Sequence, residues 1–226
     1  MTDINDIYNA EYFTAQIRKS DAKASWQYGR FLRFAGVSAV THPRFLDAGC
    51  GAGPALSFVK EQGYKVFGAD VVMYPLQEAQ KRAPGVPLVN CDLRRMLPFA
   101  NQSFDVVLAS EVIEHLEDAL GFLLECRRVL HDGGCLILTT PNLWDIRRPL
   151  AAITRTTWSG YQDPTHINLM TPARLARLVS KAGFRQTKWR SGVKPLYMRS
   201  VRRLGWRLEV PYPPFIGNGI MFAAYK

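Results

Sequence analysis

Cysteine is scarce in this chain of 226 residues: Cys50, Cys91, Cys126 and Cys135 are the four, with no C-x-x-C pair among them. That excludes a disulfide-stapled scaffold and points to reduced thiols in a cytoplasmic setting. No apolar run approaches the length of a membrane span, so no transmembrane segment is expected. Internal repeats and low-complexity tracts are absent, and the length fits one domain. The opening Met1–Asp6 is polar and acidic, and is expected to be neither a signal nor a transit peptide. Acid is nearly missing from the last third. Residues 147–226 hold only Asp163 and Glu209 against 15 Lys+Arg, net +13, whereas residues 1–146 hold 17 acids against 14 bases, net −3. So basic a segment suits an anionic partner (RNA, an acidic membrane surface or a phosphorylated substrate) or simply makes a solvated face.

What the chain does have is an apolar run ending in acid and alternate glycines: Phe45-Leu46-Asp47-Ala48-Gly49-Cys50-Gly51-Ala52-Gly53. This predicts a buried strand turning sharply into a helix, with bare backbone open to a ligand. Asp47 is placed to hold the glycine loop or to meet a cation. A second run, 64–69, ends in Asp70, where an acid can take both hydroxyls of a ribose. A dinucleotide site needs G-x-G-x-x-G. Its third glycine falls on Pro54 or on Leu56 in the two frames, so that fingerprint fails.

Strand and helix signals then alternate. Strands are expected at 86–90, 104–109 and 135–140, and helices at 54–62, from Pro75 to before Pro84, at 117–130 and at 172–182. Strand six is expected at 184–190 and a last strand at 218–225. A helix ending near Gly36 precedes them, and His131-Asp132-Gly133-Gly134 reads as a turn. This alternation argues for an α/β fold, a doubly wound parallel sheet with helices on both faces. The ligand belongs at the carboxyl ends of its strands, where Asp47, Asp70, Asp92 and Ser110-Glu111 all fall.

The pattern D-x-G-x-G-x-G with a distal Asp resembles the first motif of class I S-adenosylmethionine methyltransferases. The resemblance covers most of residues 40–190 and the last strand. It implies a Rossmann-like, mostly parallel seven-stranded sheet whose antiparallel last strand lies between strands five and six. It also implies one methyltransferase domain over 1–226: a helical cover at 1–40, a cofactor core at 41–141, and substrate or lid insertions at 142–170 and 193–216. S-adenosylmethionine would be the cofactor and S-adenosylhomocysteine the product. The cofactor set would be Asp47, Ala48, Gly49, Cys50, Gly51, Gly53, Asp70, Val71, Cys91, Asp92, Leu93, Ser110 and Glu111. Within it the glycines admit the methionine portion, Asp70 takes the ribose and Asp92 the adenine amino group.

Chemistry is expected in two places. Ser110-Glu111-Val112-Ile113-Glu114-His115 sets Glu111, Glu114 and His115 at i, i+3 and i+4, one face of a helix. Asp163-Pro164-Thr165-His166 sets a histidine on a loop before a helix, where substrate-facing residues are common. E-x-x-E-H followed by a lone His resembles the ubiquinone-biosynthesis O-methyltransferases and the small-RNA 2′-O-methyltransferases. The resemblance implies a divalent metal such as Mg²⁺ on Glu111, Glu114, His115 and His166, with His115, His166 and Glu114 catalytic. A bound cation lowers the pKa of a hydroxyl, and a histidine takes its proton. The plainer reading stays open: acids near a helix start are favoured by its dipole alone, and His115 can be a pocket wall. His42 and His131 sit in turn contexts and are expected to face solvent.

The expected activity is O-methylation of a small-molecule, glycan-linked or lipid-linked acceptor. The alternatives are an RNA 2′-O-methyltransferase gripping phosphates with the basic third, and a non-catalytic S-adenosylmethionine-binding protein. From Lys194 to Arg207, Tyr197, Val201, Leu204 and Leu208 share one helical face among arginines, a pattern for an anionic bilayer or a pocket lid. A cytoplasmic chain peripheral to a membrane fits that pattern.

Overall fold

A computed structural model of the chain describes residues 24–192 and 216–226. Residues 1–23 of the expected helical cover and the 194–207 amphipathic pattern lie outside the described residues.

One seven-stranded sheet runs in the order β3-β2-β1-β4-β5-β7-β6. The strands are β1 Arg44–Ala48, β2 Lys65–Asp70, β3 Leu88–Asn90, β4 Phe104–Ser110, β5 Leu130–Pro141, β6 Gln186–Ser191 and β7 Gly219–Tyr225. β1 to β5 pair in parallel, while β7 runs antiparallel to both β5 and β6. This is the expected α/β, doubly wound, Rossmann-like architecture, with the last strand between strands five and six. The order reverses between β1 and β4, the kind of switch point at which open α/β sheets take ligands.

Two apolar layers flank the sheet. On one face Phe31, Leu56, Val59, Leu76 and Ala79 pack from α1 Ala24–Ala35, α2 Pro54–Glu61 and α3 Met73–Arg82. On the other, Phe122, Leu123, Cys126, Leu175 and Val179 pack from α4 Ala119–Val129 and α6 Pro172–Lys181. β7 is buried on both faces, hence its near-continuous apolar run, whereas the polar and basic β6 forms an edge unattractive to another strand.

Caps account for the helix boundaries. Asp118 accepts the Gly121 N–H at 2.8 Å and Thr171 accepts that of Arg174 at 3.2 Å, so these helices start just after each cap. Pro75 lies inside the first turn of α3 rather than opening it, a place where its missing N–H costs nothing. β5 begins five residues ahead of its expected start: Leu130 pairs with Phe104, residues 131–134 bulge at Gly133 (φ 79°), and pairing resumes at Val106–Cys135. His42 and His131 are half-buried rather than solvent-facing, and His42 Nδ1 lies 2.7 Å from Thr41 Oγ1.

Between β5 and α6 the chain makes a short helix, α5 Arg147–Ile153, and a 3₁₀ turn Ser159–Tyr161. The buried Asp145 holds this stretch, accepting the Trp158 indole N–H at 2.9 Å and the Nε and Nη2 N–H groups of Arg147. Among the described residues no helix is long and apolar enough to cross a membrane.

Candidate cofactor cleft and histidine pair

The glycine loop follows β1 directly. Gly49 N and Cys50 N both bond Ala69 O, at 2.7 and 3.0 Å, tying the loop to β2. Its three glycines have positive φ but different surroundings. A Cβ on Gly49 would fall 2.4 Å from Val112 Cγ2, and one on Gly53 would fall 2.9 Å from Ala79 Cβ. One on Gly51 would meet nothing within 4 Å. Bare backbone thus opens onto space at Gly51, while Gly49 and Gly53 make room for the protein itself.

Asp70 spans this loop. Its Oδ2 accepts Gly51 N at 2.8 Å and its Oδ1 accepts Val72 N at 3.0 Å. Each carboxylate oxygen keeps a further lone pair, enough for two hydroxyls. Asp47 is buried beside it. Burial first, then the Asp70 charge, pushes its carboxyl up to about 8. Burial raises Asp70 too, against bonds from Val72 and Gly51. Cys50, behind the loop, has its thiol pushed up by burial and then by Asp47, so it is chemically quiet. Asp92 is clamped by Arg94, whose guanidinium reaches both carboxylate oxygens, at 2.9 and 2.7 Å. Burial foremost, then Asp47 and Glu111, hold the Tyr28 phenol of α1 above its ordinary range. Tyr28 belongs to this cleft, and no spacing in the sequence marked it.

The stretch after β4 departs from the helical reading. Glu111 takes a left-handed conformation at φ 58°, with its N–H on Thr139 O at 2.9 Å, and only Ile113–His115 follows as a 3₁₀ turn. A non-glycine residue there stores strain of about 1–3 kcal/mol, which tends to mark functional positions. Glu111, Glu114 and His115 therefore do not share a helix face. Instead Glu114, His115 and His166 gather, with one donor atom from each within 4.8 Å of the others, and Glu111 stands outside that group. Glu111 lies directly before the turn that carries Glu114 and His115.

Asn168 brings the histidines together. Its N–H bonds Glu114 O at 2.9 Å and its Nδ2 bonds Leu116 O at 2.8 Å, stapling the loop to the 3₁₀ turn. The rings of His115 and His166 then lie 4.9 Å apart between centroids. His166 Nδ1 bonds Gly160 O at 2.8 Å, and Gly160 must be glycine because a Cβ would strike the buried Trp158 ring. Burial, then His166, lowers the pKa of His115, so the ring is neutral at pH 7 and can accept a proton. Asn168, Gly160 and Trp158 support the site without any motif that would have revealed them.

At the strand reversal lie bare backbone at Gly51 and an acid spanning it, and Glu114, His115 and His166 form an acid–base cluster in the same α/β fold. Residues 46–138 match the family model described as a methyltransferase domain. A protein of Mycolicibacterium smegmatis described as a "Probable S-adenosylmethionine-dependent methyltransferase" is 34% identical over 143 residues, 62% of this chain and 51% of that one. A ubiquinone biosynthesis O-methyltransferase of Cereibacter sphaeroides is 36% identical over 151 residues, 62% of this chain and 59% of that one. The chain thus spans little more than half the length of these relatives. A solved structure of a SAM-dependent methyltransferase from Archaeoglobus fulgidus superposes with TM-score 0.67 at 19% identity, covering 95% of this chain and 100% of that one. The plantazolicin methyltransferase BpumL, solved in complex with SAH, gives TM-score 0.67 at 14% identity, covering 98% and 92%. Residues 46–138 thus match a methyltransferase domain, set in the fold that these solved methyltransferase structures share.

Proposed function

We propose that the chain transfers a methyl group to a hydroxyl oxygen of a small-molecule, glycan-linked or lipid-linked acceptor. The observation that carries this reading is that the turn leading to His115 packs on the glycine loop: a Cβ on Gly49 would fall 2.4 Å from Val112 Cγ2, while Gly51 in the same loop faces open space. S-adenosylmethionine, when bound, supplies an electrophilic methyl on a sulfonium.

Gly51 admits the methionine portion, Asp70 takes the ribose, and Cys91, Asp92 and Leu93 border the adenine. Asp70 and Glu111 set negative charge around a donor whose sulfonium is positive, while Asp47 keeps its proton. His115 takes the acceptor proton, with His166 and Glu114 beside it. Alignment of acceptor and donor supplies much of the rate. A divalent ion fits the same three side chains; Glu114, His115 and His166 would hold it in place of that proton transfer, since a coordinated imidazole nitrogen has no lone pair left for a proton. It would lower the pKa of the acceptor hydroxyl.

The lipid-linked acceptor has specific support. A cavity of about 570 Å³ opens beside the cluster's loop, lined by Leu143, Trp144, Ile146, Pro149 and Ile216, with Arg148 at its edge. Trp144 and Ile146 in its lining are about half exposed, and Leu150 and Ile153 of the neighbouring α5 are exposed as well. Apolar groups in such numbers suit the chain of an amphiphilic acceptor, with arginines for an anionic head.

The test is methyl-label transfer to a cell extract split into RNA, lipid, glycan and small-molecule fractions. Label in the lipid, glycan or small-molecule fraction supports the proposal. Label in RNA alone replaces it with the 2′-O-methyltransferase reading. S-adenosylhomocysteine binding with no label anywhere leaves a non-catalytic binder.

A further inference from the structure

Thr165 stands where two hydrogen bonds meet. Its Oγ1 lies 2.8 Å from His115 Nδ1 and also bonds Asp163 Oδ1, the oxygen that accepts its own N–H at 2.9 Å. An ionised carboxylate can only accept, and a hydroxyl has a single proton to give. That proton is therefore committed to Asp163, and Thr165 Oγ1 meets His115 as an acceptor. His115 Nδ1 also faces the Thr165 carbonyl oxygen at 3.2 Å, a second group that can only accept. Both partners require the His115 proton on Nδ1. Gly160 O imposes the same tautomer on His166. In the neutral His115 ring the lone pair is then on Nε2.

We propose that Asp163 and Thr165 are positioning residues: an ordered run of protons from His115 through Thr165 to Asp163 fixes the Nδ1–H tautomer and reserves Nε2 for the acceptor proton. This rests on the methyl-transfer reading above. In the step, the hydroxyl proton passes to His115 Nε2 and the oxygen electron pair forms the new bond to the methyl carbon. The carbon–sulfur bond breaks with its pair left on sulfur, and the imidazolium later releases its proton to water. The Asp163 charge, relayed through Thr165, steadies the imidazolium while it lasts. With the opposite tautomer, Nε2 would bear a hydrogen and could neither take that proton nor bind a cation. The logic is that of a carboxylate orienting a catalytic histidine, with a threonine hydroxyl interposed.

The tautomer can be read without any acceptor. The full chain, labelled with ¹⁵N-histidine, gives long-range ¹H–¹⁵N spectra at a pH where the rings are neutral. His115 is expected to show a protonated Nδ1 and an unprotonated Nε2. In Asp163→Ala the Thr165 proton is released to point at Nδ1, and the Nε2–H form should grow. Thr165→Val should also mix the tautomers, and Thr165→Ser should restore the original pattern. On the extract fraction that the unaltered chain labels, Asp163→Ala and Thr165→Val should lower kcat about 10–100-fold with the donor KM unchanged. Calorimetry with S-adenosylhomocysteine checks that each variant is folded. If Asp163→Ala does not fold, the Val and Ser pair at Thr165 carries the test. An unprotonated Nδ1 in the unaltered chain, or variants that leave the ring pattern unchanged, would overturn the proposal. Tautomers that respond as expected in a chain that labels nothing would uphold the proton order and remove the methyl-transfer reading instead.

Discussion

Val112 fills the space that a side chain on residue 49 would need: a Cβ there would lie 2.4 Å from Val112 Cγ2. The first glycine of the loop thus serves the packing of the turn after β4, while Gly51 faces open space. Gly49→Ala should therefore destabilise the fold by about 1–3 kcal/mol, with part of that recovered in Gly49→Ala/Val112→Ala. Gly51→Ala should cost less stability and far more S-adenosylhomocysteine affinity. Thermal unfolding and calorimetry on the same variants separate the two effects. Equal losses of affinity at constant stability would contradict the division.

Asp47 makes stability depend on pH in the unusual direction for a carboxylate. The folded group keeps its proton up to about 8, whereas an unfolded aspartate releases it near ~4. Between those values the native state binds more protons than the unfolded state, so this contribution falls as pH rises through the window. Asp47→Asn should remove the dependence. The ligand-free variant should gain stability over the parent as pH increases, with no gain below pH ~4. Denaturant midpoints across the pH range read this out.

His115→Ala and His166→Ala should each lower methyl transfer by roughly 10²-fold while S-adenosylhomocysteine still binds. If a divalent ion is used, both variants and Glu114→Gln should abolish the heat of metal titration, and a chelator should silence the unaltered chain. Glu111→Gln should spare the metal heat and weaken the nucleoside. No chelator effect and no heat would leave the histidines as proton acceptors alone.

Trp144→Glu and Ile146→Glu place charge on two half-exposed residues that line the apolar cavity. Both variants should keep their unfolding temperature and lose activity on lipid-linked acceptors, but not on water-soluble ones. Loss on both kinds of acceptor would detach the apolar cavity from acceptor recognition.

Much of the architecture was legible because its signals are local. Apolar runs ending at Asp47, Asp70 and Ser110 announced strand ends, and Thr171-Pro172 announced a helix start. The site was legible only in part. Glu114, His115 and His166 were singled out, but the helical spacing that included Glu111 was misleading. The left-handed backbone at Glu111 comes from its bond to Thr139 on β5, a partner that no i, i+4 pattern can report. Tyr28, Asn168 and Gly160 were missed for the same reason: each acts through a residue distant in the chain. Asp163 and Thr165 stood in a quoted motif, yet only coordinates show that one hydroxyl joins them to His115.

The antiparallel insertion of β7 has a consequence for biosynthesis. Until Gly219–Tyr225 pairs with Leu130–Pro141, the latter is an open border, and β6 has no neighbour at all. A nascent chain can have its glycine loop and first five strands formed while the ground beneath Asn142, which bonds Gly217 O at 2.8 Å, is still missing. The half that grips the nucleoside can therefore mature on the ribosome ahead of the half that carries His166.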